Sequence, residues 1–186
     1  MLKNDLRKYY LNVRMQLTVD ELSEKSMQIA RHLYNWEVYQ KAETIHTYVS
    51  SQSKHEIDTF HIIESAIASG KRVAVPKMAG QSKLKHYRLP STDYLKPNKW
   101  GIPEPDGTPE LDVSQLDLIL VPMAVTDKNL NRIGYGKGYY DRFLEGSEAI
   151  KAGLILDRLI HCEILPADKH DIPMDFVISE SGIIVR

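Results

Sequence analysis

The fold class is indicated by residues 116–144, LDLILVPMAVTDKNLNRIGYGKGYYDRFL, where an apolar run leads through a glycine-rich loop into a helical pattern. Residues 116–122 are nearly all apolar, as expected of a central strand that is covered on both faces. Three of the ten glycines of the chain fall between residues 134 and 138, directly before the helical pattern. A buried strand, a loop and glycines that open a helix form the unit from which α/β proteins build anion sites.

The segments on either side extend this unit into a layered α/β sheet. Alternating or apolar patterns predict further strands and a C-terminal hairpin, at residues 43–51, 71–77, 84–89, 152–157 and 175–186. A helix is predicted over residues 58–70. Strands that alternate with helices indicate a layered α/β fold. The length of 186 residues suits a single domain over residues 1–186.

Two amphipathic helices are predicted before the first strand. The first, over residues 2–17, has one apolar stripe made by Leu2, Leu6, Tyr9, Val13 and Leu17. Thr18 and Glu21 then form a capping box that opens the second helix. The apolar face of that helix consists of Val19, Leu22, Ile29, Ala30 and Leu33. Each helix therefore has one face available for the core.

Residues 90–109, PSTDYLKPNKWGIPEPDGTP, interrupt the alternation because they hold five of the nine prolines. A long segment without regular structure in a compact domain is usually either functional or disordered. Trp100 argues against disorder, because a large aromatic side chain gains most by packing on something. The sequence leaves open whether Trp100 faces a ligand or the surface of the domain itself.

The bulk composition excludes several classes of partner. Net charge is −1 and the pI is about 6.7, so no overall field attracts nucleic acid or a membrane. The longest apolar run, residues 118–125, is too short to span a membrane. Cys162 is the only cysteine, which excludes an intramolecular disulfide, and its apolar neighbours predict a buried thiol. We therefore expect a cytoplasmic protein without nucleic-acid or membrane partners, whose anionic ligands bind at a local site.

The glycine-rich loop admits three interpretations: a phosphate site, an inert turn, or a flexible patch that contacts nucleic acid. Glycines let backbone N–H groups converge on one point, and Lys137 and Arg132 are placed to meet phosphate oxygens. The loop is not a P-loop, because Gly138 follows Lys137 where a Ser or Thr is required. It is not a dinucleotide fingerprint, since its third glycine comes one residue early. Asp141 in the first helical turn is either a ligand for Mg²⁺ or a complement to the helix dipole.

Beyond these arguments, the stretch DKNLNRIGYGKGYYDRFL (127–144) resembles the signature of the 5-formyltetrahydrofolate cyclo-ligase family, also called methenyltetrahydrofolate synthetases. The resemblance covers essentially the whole chain, in the segments KNDLRKYYLNVR (3–14), HEIDT (55–59), KWGIPEP (99–105) and LPADKHDIPMDFVI (165–178). It implies a three-layer α/β/α sandwich with a mostly parallel central sheet and N-terminal helices. It also implies that ATP and Mg²⁺ are used to convert 5-formyltetrahydrofolate into 5,10-methenyltetrahydrofolate, releasing ADP and phosphate.

The resemblance also implies roles for individual residues. Catalytic roles fall on Arg132, Lys137 and Tyr140, and Mg²⁺ would be held by Asp141 and Asp171. The residues implied to contact ATP are Lys3, Asn4, Asp5, Leu6, Arg7, Arg132, Ile133, Gly134, Tyr135, Gly136, Lys137, Gly138, Tyr139 and Tyr140. Those implied to contact the folate, including its polyglutamylated forms, are Ser51, Glu56, Trp100, Gly136, Lys137 and Tyr139. Glu56 would accept hydrogen bonds from the pterin edge, and Trp100 would stack on the ring system. A monomer or weak homodimer is expected.

Two other classes of function remain open from the sequence. One is a different enzyme on a similar sheet, such as a relative of sugar-phosphate isomerases or CoA-transferases, which would not need Asp141 and Asp171 as a metal pair. The other is a binding module whose glycines and tyrosines contact single-stranded RNA by stacking. The near-neutral charge argues against the second class, because such binding depends on neutralising phosphates.

Overall fold

The structure is a computed structural model and describes residues 2–80, 83–99 and 101–185. The α-helices of the described chain are α1 (Lys3–Met15), α2 (Val19–Tyr34), α3 (Glu37–Lys41), α4 (Phe60–Ala68) and α5 (Tyr139–Leu144). Its strands are β1 (Thr44–Thr47), β2 (Arg72–Ala79), β3 (Lys83–Arg88), β4 (Leu95–Pro97), β5 (Pro103–Pro105), β6 (Leu118–Pro122), β7 (Val125–Asp127), β8 (Arg132–Ile133), β9 (Ile150–Leu154), β10 (Ile160–His161), β11 (Phe176–Ser179) and β12 (Gly182–Val185). Across these residues, no helix is both long enough and apolar enough to cross a membrane.

A mostly parallel sheet forms the centre of the fold, in the order β12-β11-β9-β6-β1-β2-β3. The strands from β11 through β2 pair in parallel, while β12 and β3 pair antiparallel at the two edges. Strand β6 lies between β1 and β9, and all of its residues are buried, because an apolar strand inside a parallel sheet is covered on both faces. The predicted α/β/α sandwich, its central strand and its C-terminal hairpin are confirmed.

The connection after β6 leads into the glycine-rich loop. Strand β7 follows almost at once and pairs with β8 and β10 in a small separate sheet. The buried carboxylate of Asp127 accepts hydrogen bonds from the backbone N–H groups of Asn129 and Asn131, at 2.9 and 3.0 Å. It also accepts the N–H of Leu165, at 2.7 Å. The start of the glycine-rich loop is thereby held against the segment that follows residue 165.

Helix α1 buries only part of the predicted stripe, of which Leu6 and, just beyond the end of the helix, Leu17 are buried as predicted. Its buried positions, spaced by four residues, are Leu6, Tyr10 and Arg14. Leu2 and Tyr9, predicted to be on the buried stripe, are instead 76% and 57% exposed. Tyr10 is buried in place of Tyr9, and its hydroxyl forms a hydrogen bond with the imidazole of His161, at 2.8 Å. One consequence is that a charged residue, Arg14, occupies a core-facing position.

Helix α2 begins as the sequence predicts. The N–H of Glu21 donates to the Thr18 hydroxyl at 3.2 Å, and the N–H of Thr18 donates to the Glu21 carboxylate at 2.8 Å. This capping box is therefore confirmed. Ile29 and Leu33 are buried as predicted, whereas Val19 is 75% exposed because it is the first helical residue and precedes the part of α2 that packs on the sheet.

Two further expectations were wrong. The proline-rich segment is not without regular structure, because β4 and β5 pair antiparallel within it and place Leu95 opposite Pro105. Cys162 is exposed instead of buried. It directly follows β10, a strand of two residues at the edge of the small sheet, so the apolar neighbours on either side do not enclose it.

Candidate active site

A cavity of about 440 Å³ opens beside the glycine-rich loop. Its wall includes the loop from Arg132 to Asp141 and the side chains of Lys3 and Arg7 from α1. Asp168 and Asp171, from the C-terminal segment, complete the polar part of the wall. The fold therefore brings both predicted ATP-contacting segments and both predicted metal ligands to one cavity.

Arginine side chains lie against the glycines of the loop. The Nε–H of Arg7 donates to the carbonyl oxygen of Gly134 at 2.7 Å. Gly136 has a φ of +84°, and a β carbon there would come within 2.9 Å of the Arg7 guanidinium carbon. Gly138 has a φ of +65°, and a β carbon there would meet Nη1 of Arg142 at 2.8 Å. Both positions favour glycine because of their left-handed φ values, and a side chain at either one would displace an arginine guanidinium.

Both predicted metal ligands are paired with cations. The guanidinium of Arg132, which is buried, donates to Oδ1 of Asp141 at 2.6 Å. The ammonium of Lys3 donates to Asp171 and to Asp168, the latter at 2.6 Å. Burial acts to lower the pKa of Lys3, but the two carboxylates outweigh it and raise that pKa above its ordinary value. For Arg132 burial lowers the pKa, against the opposing charge of Asp141.

These acids suit a Mg²⁺ ion that arrives with a polyphosphate. Mg²⁺ usually keeps several waters and is held by one or two carboxylates together with substrate phosphates. Oδ2 of Asp141 and Oδ1 of Asp171 accept no hydrogen bond from the described residues, and both side chains line the cavity. Within the described ranges, no group of three or more His, Cys, Asp or Glu side chains is placed to hold a metal. The pair therefore fits coordination shared with phosphate better than a cage made by protein alone.

A second cavity, of about 140 Å³, lies beside the first. Ser51 and Glu56 line it on one side, and residues 102–104 line it as well. The wall shared by the two cavities consists of Lys54, Met78, Leu84, Pro122, Tyr135 and Tyr140. Pro122 is the last residue of β6, so the two cavities meet at the carboxyl end of the central strand. Ligands of α/β sheets commonly bind at this end.

Glu56 is held from two directions. Its Oε2 accepts the backbone N–H of Ser51 at 2.8 Å, and its Oε1 accepts the hydroxyl of Tyr135. Tyr135, predicted to contact ATP, thus directs its hydroxyl to the predicted folate residue, although it belongs to the glycine-rich loop. Burial raises the pKa of Tyr135, and the charge of Glu56 raises it further, so the phenol stays protonated and donates.

The hydroxyl of Tyr140 is buried and has no hydrogen-bond partner among the described residues. The side chain lines both cavities. Burial raises the pKa of this phenol well above its ordinary value. A buried, protonated donor without a partner is costly in a folded protein unless a ligand accepts its hydrogen bond.

Some predicted residues lie elsewhere or in a different setting. Asn4 and Asp5 are exposed and do not line the larger cavity, and Leu6 belongs to the hydrophobic core. Lys137 lines the cavity with an exposed side chain that makes no hydrogen bond or ion pair with the described part of the chain. Trp100 lies outside the described residues.

Three residues at the site were missed from the sequence. Asp168 pairs with Lys3, and its signal was its place three residues before Asp171 in the same segment. Lys54 lines both cavities, two residues before Glu56. Arg14 lies behind Tyr135, and its signal was an arginine within the helix at a spacing of four from Tyr10.

Residues 1–180 match the family model described as the 5-formyltetrahydrofolate cyclo-ligase family. The chain belongs to this family. A 5-formyltetrahydrofolate cyclo-ligase from Mus musculus is 31% identical over 180 residues, which cover 89% of this chain and 87% of that protein. One from Haemophilus influenzae is 30% identical, over 92% of this chain and 94% of that protein. The solved structure of Aquifex aeolicus 5,10-methenyltetrahydrofolate synthetase has a TM-score of 0.88 at 30% identity, covering 100% of this chain and 93% of that chain.

This cyclo-ligase is therefore an enzyme of folate and one-carbon metabolism. Like its family, it uses ATP and acts on a folate, which is a small-molecule substrate. Membership of this family identifies the chain as a ligase. The alternative enzyme class considered from the sequence, a relative of sugar-phosphate isomerases or CoA-transferases, is thereby excluded.

Proposed function

We propose that this cyclo-ligase converts 5-formyltetrahydrofolate into 5,10-methenyltetrahydrofolate at the junction of its two cavities. The observation that carries the proposal is their shared wall, which includes Tyr135 and Tyr140. A polyphosphate in the larger cavity and a pterin in the smaller one would meet across this wall. Holding two reactants in contact and in alignment is itself a large part of catalysis.

The reaction proceeds in two displacements. The formyl oxygen of the folate attacks the γ-phosphorus of ATP, the bond to the bridging oxygen breaks, and ADP leaves. The folate N10 then attacks the activated formyl carbon, and the carbon–oxygen bond breaks as phosphate departs with the former formyl oxygen. N10 loses its proton, and the ring is closed. Phosphorylation is needed because an amide oxygen is otherwise a poor leaving group, so the protein acts mainly by alignment and charge neutralisation.

The cations around the larger cavity would bind the phosphate groups. Lys137 is available for this because its exposed side chain has no partner among the described residues. Arg132 and Arg7 are held at the loop by Asp141 and Gly134, so their charges are positioned before ATP binds. This arrangement supports contact between ATP and the two segments predicted from the sequence.

Asp141 and Asp171 would hold Mg²⁺, with the oxygens that accept no hydrogen bond from the described chain. When bound, Mg²⁺ supplies positive charge that neutralises the phosphates during transfer. Arg132 and Lys3 hold the two carboxylates in place at the cavity wall, because each acid forms an ion pair with one of these cations.

The folate side would be recognised by Glu56 and its neighbours. Glu56 would accept hydrogen bonds from the pterin edge, with Ser51 fixing one of its oxygens. Tyr140 would donate its hydroxyl, which has no partner among the described residues, to the formyl oxygen or to the phosphate in transfer, since it lines both cavities. Trp100 would stack on the pterin.

The test is a coupled measurement with purified protein, ATP, Mg²⁺ and 5-formyltetrahydrofolate. We expect ADP release that requires both Mg²⁺ and the folate, and a matching rise in absorbance from the conjugated methenyl product. ADP release at the same rate without the folate, or release without the methenyl product, would contradict the proposal. An enzyme that uses the loop for a non-nucleotide phosphate would give neither signal.

A further inference from the structure

Arg14 is a buried cation behind the smaller cavity that takes no part in the reaction described above. It is 5% exposed, and its Nε makes no hydrogen bond with the described residues. No carboxylate in the described ranges forms an ion pair with it. A buried guanidinium is costly unless neighbouring groups compensate its charge, and the neighbour that compensates Arg14 is Tyr135.

Tyr135 connects Arg14 to the site. The guanidinium carbon of Arg14 lies 5.5 Å from the centre of the Tyr135 ring, within the range of a cation–π contact. The ammonium of Lys54 lies 5.2 Å from the same ring centre. The hydroxyl of this ring donates to Oε1 of Glu56, and Ser51 donates to the other oxygen at 2.8 Å. A continuous series of contacts therefore runs from α1 through the glycine-rich loop to the carboxylate on the folate side.

The charges of Arg14 and Glu56 act on the same two phenols. Burial raises the pKa of both Tyr48 and Tyr135, and the negative charge of Glu56 raises both further. Arg14 opposes this shift at both residues. All four side chains line one small space beside the sheet, so the two opposite charges are near each other although they do not form an ion pair.

We propose that Arg14 is a positioning residue for folate: it holds the ring of Tyr135, and Tyr135 holds the carboxylate of Glu56 toward the pterin. An ionised carboxylate offers about four acceptor positions, and Tyr135 and Ser51 occupy two of them. The others remain for donors of the substrate. This inference rests on the proposed role of Glu56 in the smaller cavity.

The first test is Arg14→Met, which keeps an apolar stem and removes the charge. We expect the KM for 5-formyltetrahydrofolate to rise by about tenfold, while the KM for MgATP and kcat stay within about twofold of wild type. Arg14→Lys retains the charge without the planar group and should give an intermediate KM for folate. Arg31→Met, an exposed arginine of α2, is the matched control and should change none of these values.

A role for Arg14 in stability alone predicts a different result. Loosening of the whole loop would raise the KM for both substrates together, and such a parallel rise would overturn the proposal. An unchanged KM for folate would overturn it as well.

If Arg14→Met does not fold, Tyr135→Phe provides a second test of the proposal. This variant retains the ring and removes only the hydroxyl that contacts Glu56. We expect the same selective rise in the KM for folate, and no further rise when Arg14→Met and Tyr135→Phe are combined, because both act through one carboxylate. Effects that add fully in the double variant would show that the two residues act independently.

Glu56→Gln separates this inference from the proposed function. If Glu56→Gln leaves the KM for folate unchanged, the proposed role of Glu56 fails whatever Arg14 does. If Glu56→Gln raises it but Arg14→Met and Tyr135→Phe do not, only the positioning role fails.

Discussion

The guanidinium of Arg7 occupies the space next to Gly136 in which a side chain would begin, since a β carbon on Gly136 would approach its central carbon to 2.9 Å. The same guanidinium donates to the carbonyl oxygen of Gly134 at 2.7 Å. Helix α1 and the glycine-rich loop are therefore in direct contact. The shape of the loop depends on this contact as well as on the turn itself.

Gly136→Ala should impair ATP binding more than it impairs stability. The left-handed φ of +84° makes alanine unfavourable by about 1–2 kcal/mol, and the new methyl group would also push Arg7 away from the loop. We expect the KM for MgATP to rise by about tenfold or more, because a cation and the loop backbone are displaced together.

The matched control for that substitution is Gly146→Ala. Gly146 has a similar φ of +73°, but a β carbon there meets nothing within 4 Å. Both variants should lose similar thermal stability, by roughly 2–4 °C for each kcal/mol, and only Gly136→Ala should alter the KM for MgATP. Equal KM values in the two variants would show that Arg7 does not shape the site.

Lys137→Ala should reduce turnover while leaving the fold intact. Its side chain is exposed and makes no hydrogen bond or ion pair within the described chain, so its removal leaves no buried partner behind. Loss of one charge that stabilises the transferring phosphate should lower kcat by about 10²- to 10³-fold. Steady-state kinetics and a melting curve measure the two effects, and Lys128→Ala, an exposed lysine of the same motif outside the cavity, is the control. Wild-type turnover in Lys137→Ala would refute its phosphate role.

Asp141→Asn should raise the Mg²⁺ concentration needed for half-maximal activity. An amide oxygen is a weaker ligand for Mg²⁺ than a carboxylate oxygen, so the requirement should increase by roughly ten- to a hundredfold. The amide can still accept the hydrogen bond of Arg132, which keeps the loop in place. Asp175→Asn provides the comparison, because Asp175 is also near a cation, Lys151, but lines neither cavity. If both variants need the same Mg²⁺ concentration for half-maximal activity, Asp141 is not a ligand of the metal.

The buried pair of His46 and His86 should make the protein sensitive to acid. Their rings contact through Nε2 of His46 and Nδ1 of His86 at 3.0 Å. Burial lowers the pKa of His86 to about 4, partly opposed by Glu110. For His46, burial and the neighbouring His86 lower the pKa well below 6.5. Both rings therefore stay neutral in the folded protein at pH values where they are already charged in the unfolded chain.

The sign of the effect follows from proton uptake. Between pH 6.5 and about 4 the unfolded chain binds more protons than the folded one, so the free energy of unfolding falls as pH falls through this window. Denaturant titrations at a series of pH values should show this decline. His86→Gln should flatten it, whereas His61→Gln, which alters a partly exposed ring, should not. A decline of equal slope in wild type and His86→Gln would mean that other groups cause it.

Much of the fold could be predicted from local pattern. The apolar run at 116–122 identifies the central strand because no other environment suits so many adjacent apolar residues. Thr18 and Glu21 identify the start of α2 because capping is a local hydrogen-bond pattern. The glycine-rich loop could be identified as part of a site for a similar reason. The positive φ values of Gly136 and Gly138 are a local property of the loop, so its glycines indicate them directly.

The contacts on the folate side could not be predicted in this way. Tyr9 and Tyr10 are adjacent on α1, and only Tyr10 is buried, where it contacts His161, a residue distant in sequence. The direction of the Tyr135 side chain depends on the backbone between two glycines, and its partner Glu56 is 79 residues away. Periodicity carries no information about such contacts, so the contact between Arg14 and Tyr135 is evident only from the three-dimensional structure.

The wall common to the two cavities has a consequence for inhibition. Among the described residues, the side chains that line both cavities are those of Lys54, Met78, Leu84, Pro122, Tyr135 and Tyr140. A single compound that joins a pteridine to a chain of phosphates could therefore span both compartments at once. Such a bisubstrate ligand should compete with ATP and with folate alike, and should bind more tightly than either of its halves.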